Sequence, residues 1–268
     1  MTLNADDRDP SVDPGVDFFR FANGGWLDTH PIPPGFGAWG AFEEVQDHND
    51  DVLHTLLIDA ADAPQNDLDR QLGDYYASGM ALSAIEASGV SAIQGCLGAI
   101  DAVATHDDVV ALLPTLHRTG IGPFFMWATE VDHDDSSRYL LWLAQGGLGL
   151  PDRDAYFDET PAAVSLREAY VGHVAAQLVN VGTAHERAAA AADAVLDLET
   201  RLAAHHLRKE ERRDPDRTLN RHDLPALSTL APPLDLPGYL VSLGAGAATT
   251  INVENPAYFA ALHDVIRE

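Results

Sequence analysis

The sequence predicts a mainly α protein, a helical domain carrying one small β-hairpin. Three observations point there. Apolar residues recur at helical spacing through most of the chain. Capping and stop residues punctuate those stretches. Only the region around residues 124–143 changes to short aromatic-rich runs on either side of an acidic turn.

The opening segment, residues 1–16, reads as an acidic leader with no apolar core, so no signal peptide is expected. Phe18 to Leu27 follows, then a loop rich in Pro and Gly from His30 to Gly37. From Ala41 to Ile58, Phe42, Val45, Val52, Leu53, Leu56 and Leu57 form a helical stripe. Pro64 and Asn66 break it, and Leu68, Leu72, Tyr75, Tyr76 and Met80 form the next. Asp107 reads as the N-cap of a helix bearing Val109, Val110, Leu112, Leu113 and Leu116, with Gly120 as its stop. Phe124–Val131 and Arg138–Leu143 then read as a hairpin, its tip at Asp132 to Ser137 held by Asx- and Ser-type turns.

Gln145 to Asp154 is a loop by its Gly and Pro content. Thr160-Pro161 resembles an N-cap followed by Pro at the first helical position, and the Ala-rich run from Glu186 to Leu207 is a strong helix by propensity. Val195, Leu198 and Leu202 share one of its faces. Further helix starts fall near Pro237 and at Asn255-Pro256, and the last helix is still running at Glu268.

Composition excludes several partner classes. The formal net charge is −26, from 16 basic and 42 acidic residues. Such a field repels phosphate backbones and anionic lipid, so no nucleic acid and no membrane partner is expected. No stretch approaches the ~20 apolar residues that span a bilayer, and a cytoplasmic location is the expectation. Cys96, the single cysteine, rules out an intrachain disulfide and a Cys-based zinc site. Beside Ile93, Leu97 and Ile100 it reads as a buried, inert thiol.

No catalytic or metal-binding set emerges from the residues. A helical H-E-x-x-H would place two imidazoles one turn apart with a general base beside them. His185-Glu186 begins that pattern, but Ala189 occupies the place of the second histidine. His205 and His206 are adjacent, hence about 100° apart on a helix, a poor pair of ligands. The acidic turn lacks the spacing of an EF-hand loop. Gly147-x-Gly149 lacks both a third glycine and the Lys and Ser/Thr of a phosphate cradle. No catalytic, metal or substrate-binding residue is therefore assigned.

Five ordered blocks resemble the N-terminal region of the neprilysin and endothelin-converting-enzyme family of zinc metallopeptidases. They are Asp17 to Trp26 with Ile32-Pro33 and Trp39 to Phe42, then Tyr75 to Met80, then Ser136 to Tyr139 leading into Gln145 to Tyr156. Arg213 to Asn220 and Val253 to Phe259 follow in the family's order. Asn23 stands where animal members carry cysteine, which resembles the disulfide-free bacterial branch. Ala38 replaces an arginine that animal members place near the substrate's C-terminus, and Leu219 replaces a usual tyrosine.

The resemblance implies that residues 17–268 form an incomplete N-terminal helical domain, with the catalytic domain missing after Glu268. In the family this part roofs the catalytic domain, admitting oligopeptides and excluding folded proteins. The expected role is that of a substrate-restricting portion of a zinc metalloendopeptidase, inactive alone, with zinc only in the missing domain. Its partners would be oligopeptide substrates and its own catalytic domain. A stand-alone peptide-binding or scaffold protein, able to pair with a separate catalytic half, is the alternative.

Overall fold

The computed structural model describes residues 4–267; the first three residues of the acidic leader, and Glu268 with the chain stop, lie outside the described residues. The chain divides into two compact units, residues 1–89 and 90–268.

The first unit holds helices α1 (Phe18–Thr29), α2 (Ala41–Asp62), α3 (Asp67–Met80) and α4 (Leu82–Ser88). Asp17 caps α1 by accepting the Arg20 N–H, and Asn66 caps α3 by accepting from Asp69. The leader folds back on α1, where Asp9 N–H donates to the Phe21 carbonyl at 2.9 Å. That approach requires Gly24-Gly25. A Cβ on Gly25 would sit 2.1 Å from the Asp6 carbonyl oxygen, and one on Gly24 would sit 2.5 Å from Asp9 Cβ. Helices α2 and α3 pack together at Gly73, whose added Cβ would meet the Ala60 carbonyl oxygen at 2.4 Å.

The helical periodicity expected in this unit is present, but its stripes are not buried. Phe42 is 89% exposed and Tyr75 81%, and no residue of α2 is buried.

The second unit begins with α5 (Gln94–Asp101) and α6 (His106–Arg118). The N-cap of α6 is Thr105 rather than Asp107. Thr105 and Asp108 form a capping box that satisfies both ends of the turn, leaving Asp107 inside the first turn. Cys96 is half-buried, while Ile93 and Ile100 beside it are exposed.

The hairpin comprises β1 (Phe125–Asp132) and β2 (Asp135–Gln145), antiparallel with Trp127 opposite Leu143. Its tip is held as expected, by Asp132 accepting from Asp134 N–H and Asp135 accepting from Ser137. Arg221 adds ion pairs to Asp132 and Asp134.

Helices α7 (Asp154–Phe157), α8 (Pro161–Asn180), α9 (His185–Ala204) and α10 (Pro215–Thr218) follow. Then come β3 (Arg221–His222), α11 (Leu224–Leu230), α12 (Leu236–Ser242), β4 (Ile251–Val253) and α13 (Pro256–Arg267). The hairpin is thus part of a larger element, a four-stranded mixed sheet ordered β1-β2-β4-β3. β4 runs parallel to β2, and β3 pairs antiparallel with β4.

The core lies between this sheet and the surrounding helices. Phe125, Leu143, Ile251 and Val253 from the strands meet Leu113, Leu202, Leu240, Tyr258, Phe259 and Leu262. Each of these is essentially removed from water, which supplies the main driving force for this unit.

Gly73 gives a direct test of the first unit. The atoms facing its missing Cβ are backbone, so they cannot swing aside. Gly73→Ala is expected to destabilise this unit by roughly 1–3 kcal/mol, read as a lowered midpoint in denaturant followed by helical circular dichroism.

Candidate functional site

Two of the family-like sequence blocks converge with residues 205–212 on one buried polar knot. Gln145, the last residue of β2, accepts through Oε1 from Leu207 N–H at 2.8 Å and from Asn255 Nδ2 at 2.9 Å. Its Nε2 donates to the Leu207 carbonyl at 3.2 Å. Asn255 donates also to the His205 carbonyl and caps α13 by accepting from Tyr258 N–H. Glu254, 6% exposed, accepts Gln145 N–H at 3.2 Å and Arg212 Nε at 2.8 Å. Buried polar groups satisfied in this way hold one geometry, because breaking any bond strands a partner away from water.

The glycine loop leaves this knot. Gly147 takes φ +80°, and a Cβ there would lie 2.7 Å from Phe124 Cα. Phe124 itself has φ +64°, and its carbonyl accepts a close hydrogen bond from Tyr258. Tyr258 also donates to the Gly146 carbonyl at 3.1 Å. The strained backbone at Phe124 and the glycine turn beside it are therefore pinned by one buried tyrosine.

Further along, a Cβ on Gly149 would collide with the Tyr170 hydroxyl, 2.0 Å away. Tyr170 and Tyr156 both donate to Glu199, at 2.7 and 2.6 Å, and Tyr156 accepts Leu150 N–H. Burial, with Glu199 beside them, pushes both phenols above their usual range.

Two histidines are held neutral. His117 donates from Nε2 to the Phe125 carbonyl at 2.8 Å, and its Nδ1 lies 2.7 Å from the Tyr239 hydroxyl, a hydrogen-bond partner. Burial lowers its pKa. His206 donates from Nε2 to the Gly146 carbonyl at 3.1 Å. Burial takes it down to about 4, helped by the positive field of Arg212 and Arg153.

A cleft of about 390 Å³ opens between the glycine loop and residues 206–212. Arg153 forms part of its wall, donating to the Ala203 carbonyl and pairing with Asp154.

Zinc does not fit the residues of this chain. Among the described residues, no three His, Cys, Asp or Glu side chains come together as a metal-binding group. His185 lies exposed in the first turn of α9, beside a different cleft formed with α8. His205 is the exposed C-cap of α9, while His206 is committed to Gly146.

The polar knot was not singled out from the sequence. Its one available signal was the run of polar residues Asn252, Glu254 and Asn255 around Val253, inside an otherwise apolar stretch.

Fold and site together define a helical scaffold domain built around a glycine loop. Residues 14–268 match Peptidase family M13. Endothelin-converting enzyme 1 of Cavia porcellus is 30% identical over 235 residues, covering 84% of this chain and 31% of that protein. An inhibitor-bound crystal structure of Mycobacterium tuberculosis zinc metalloprotease ZMP1 superposes with a TM-score of 0.87 at 32% identity, over 99% of this chain and 41% of that one. PepO of Lactobacillus rhamnosis shares the fold, with a TM-score of 0.75 at 20% identity over 95% of this chain and 40% of that one. The chain belongs to Peptidase family M13, matching the model of the family's N-terminal part. It spans about a third of the length of the curated relatives it matches.

Two predictions follow from the knot and the histidines. Gln145→Leu keeps the side chain's bulk but strands Leu207 N–H, and should cost roughly 1–3 kcal/mol of stability in chemical denaturation. The histidines make the second unit acid-sensitive. Their folded pKa values lie below the unfolded value of about 6.5, so their contribution is complete above that pH and declines as pH falls towards 4. His206 should account for a slope of about 1 kcal/mol per pH unit in that window. His206→Gln, which can still donate to Gly146, should remove that share from the pH dependence of the melting midpoint.

Proposed function

We propose that this chain is the substrate-restricting N-terminal part of a zinc metalloendopeptidase acting on oligopeptides. Zinc and the hydrolytic residues would come from further polypeptide. The carrying observation is the match to Peptidase family M13 along nearly the whole chain, combined with coverage of only 31% of an endothelin-converting enzyme. The relatives' names supply the class of substrate, peptides, and of metal, zinc.

A second observation supports a covering partner within the same enzyme. In the first unit Phe18, Phe19, Phe42, Leu56, Leu68 and Tyr75 are all exposed. Large apolar side chains exposed in this number fit an interface, and the remaining length of an M13 peptidase is the economical occupant. In that arrangement this chain performs no bond-breaking step. It supplies a rigid wall, and passage through the enclosed space selects short, unfolded peptides over folded proteins.

The test is to read the coding DNA beyond Glu268 and express the longest open frame. An H-E-x-x-H motif downstream, stoichiometric zinc, and chelator-sensitive cleavage of oligopeptides but not of folded casein-sized proteins are the expected results. An intact stop at this point, with the purified chain remaining monodisperse and binding peptides, would replace this reading by that of a stand-alone scaffold.

A further inference from the structure

Positive charge is scarce in this protein and unevenly placed. Of its 16 Lys and Arg residues, five lie within residues 208–217: Arg208, Lys209, Arg212, Arg213 and Arg217. This segment borders the cleft beside the glycine loop, where Lys209 and Arg212 meet Arg153.

The charges in the cleft are only partly balanced. Arg153 pairs through Nη1 with Asp154, and Arg212 through Nε with Glu254. The terminal guanidinium nitrogens of Arg212 have no acceptor among the described residues, and Lys209 has no ion partner there. Asp152, the acid in the cleft wall, is already used as a turn cap, accepting the N–H groups of Asp154 at 2.9 Å and Ala155 at 3.2 Å. Gly147 and Leu148 line the same cleft, and their N–H groups donate to no acceptor among the described residues. Unused backbone donors in a glycine turn and cations lining the same concave surface are the elements of an anion site.

The geometry points to a carboxylate-binding cleft, and we infer that it takes the acidic side chain or the free C-terminal carboxylate of an oligopeptide. This inference rests on the peptide-processing reading above. A single carboxylate matches the one unpaired ammonium and the free guanidinium nitrogens, which offer planar donors suited to two oxygens. The volume suits one or two residues of a peptide. A polyanion is disfavoured by the chain's net charge of −26.

The purified chain is titrated calorimetrically at low ionic strength with four probes. They are acetyl-Ala-Ala-Glu-amide, acetyl-Ala-Ala-Ala with a free carboxylate, the neutral acetyl-Ala-Ala-Gln-amide, and inorganic phosphate. One acidic peptide should bind about 10-fold more tightly than the neutral one, and which of the two does so identifies the carboxylate's source. Lys209→Gln, an exposed position whose replacement leaves the fold intact, should weaken that binding about 3- to 10-fold. Arg187→Gln, outside the cleft, should leave it unchanged. Equal binding of the neutral peptide, tighter binding of phosphate than of either peptide, or no effect of Lys209→Gln would each overturn the inference. Failure of the peptidase reading is separable. Carboxylate binding without any catalytic continuation leaves the cleft assignment standing, whereas oligopeptide hydrolysis by the longer protein with no carboxylate preference here sinks the cleft alone.

Discussion

The second unit depends on the primary amide of Gln145. One side chain accepts from two segments distant in sequence and donates to one of them, at the point where β2 ends and the glycine loop begins. Replacing any partner leaves a buried donor or acceptor unpaired, which costs more than the bond contributes when made. The knot therefore acts less as glue than as a selector. Only one placement of the Leu207 backbone, of Asn255 and of the β2 terminus satisfies every group together.

The positions around it inherit that placement. Because Asn255 is fixed, α13 starts where Tyr258 reaches both the Phe124 and Gly146 carbonyls. Because those carbonyls are held, the left-handed backbone at Phe124 is maintained against its intrinsic cost. The loop's next contacts, Gly149 on Tyr170 and Leu150 on Tyr156, lead into Glu199 on α9. A chain of short contacts thus connects the sheet to the helices on its far side, and the cleft wall follows from it.

Much of this was legible locally, and what was missed is non-local. Helix positions followed from periodicity, from breaks such as Asn66 and from caps such as Thr160, because those signals act within a few residues. Thr105 was passed over for Asp107, since two adjacent turns offer acceptable caps and only the reciprocal bond with Asp108 decides. The short strands β3 and β4 carry too few residues for an alternating pattern. Their identity comes from Ile251 and Val253 lying beside Leu141 and Leu143, a pairing more than a hundred residues apart. The knot escaped for the same reason, because Gln145 gains meaning only beside Leu207 and Asn255.

The first unit shows the limit of periodicity as a guide to burial. Its apolar stripes are regular enough to specify helices, yet α2 runs for 22 residues without one buried side chain. Helices in proteins draw most of their stability from tertiary packing rather than propensity. Here the closest contacts among the described residues include backbone against backbone, at Gly73 on Ala60 and Gly25 on Asp6. Such contacts set the angle and distance between elements while burying little apolar area, so they specify the arrangement without strongly stabilising it. A stripe maintained at positions such as Phe42, Leu56 and Leu68 then has a physical purpose only if something outside these residues covers it. The second unit has already buried its apolar set around Phe125 and Phe259. The two units therefore differ in kind: one is stabilised mainly by its own core, and the other leaves its apolar stripes exposed.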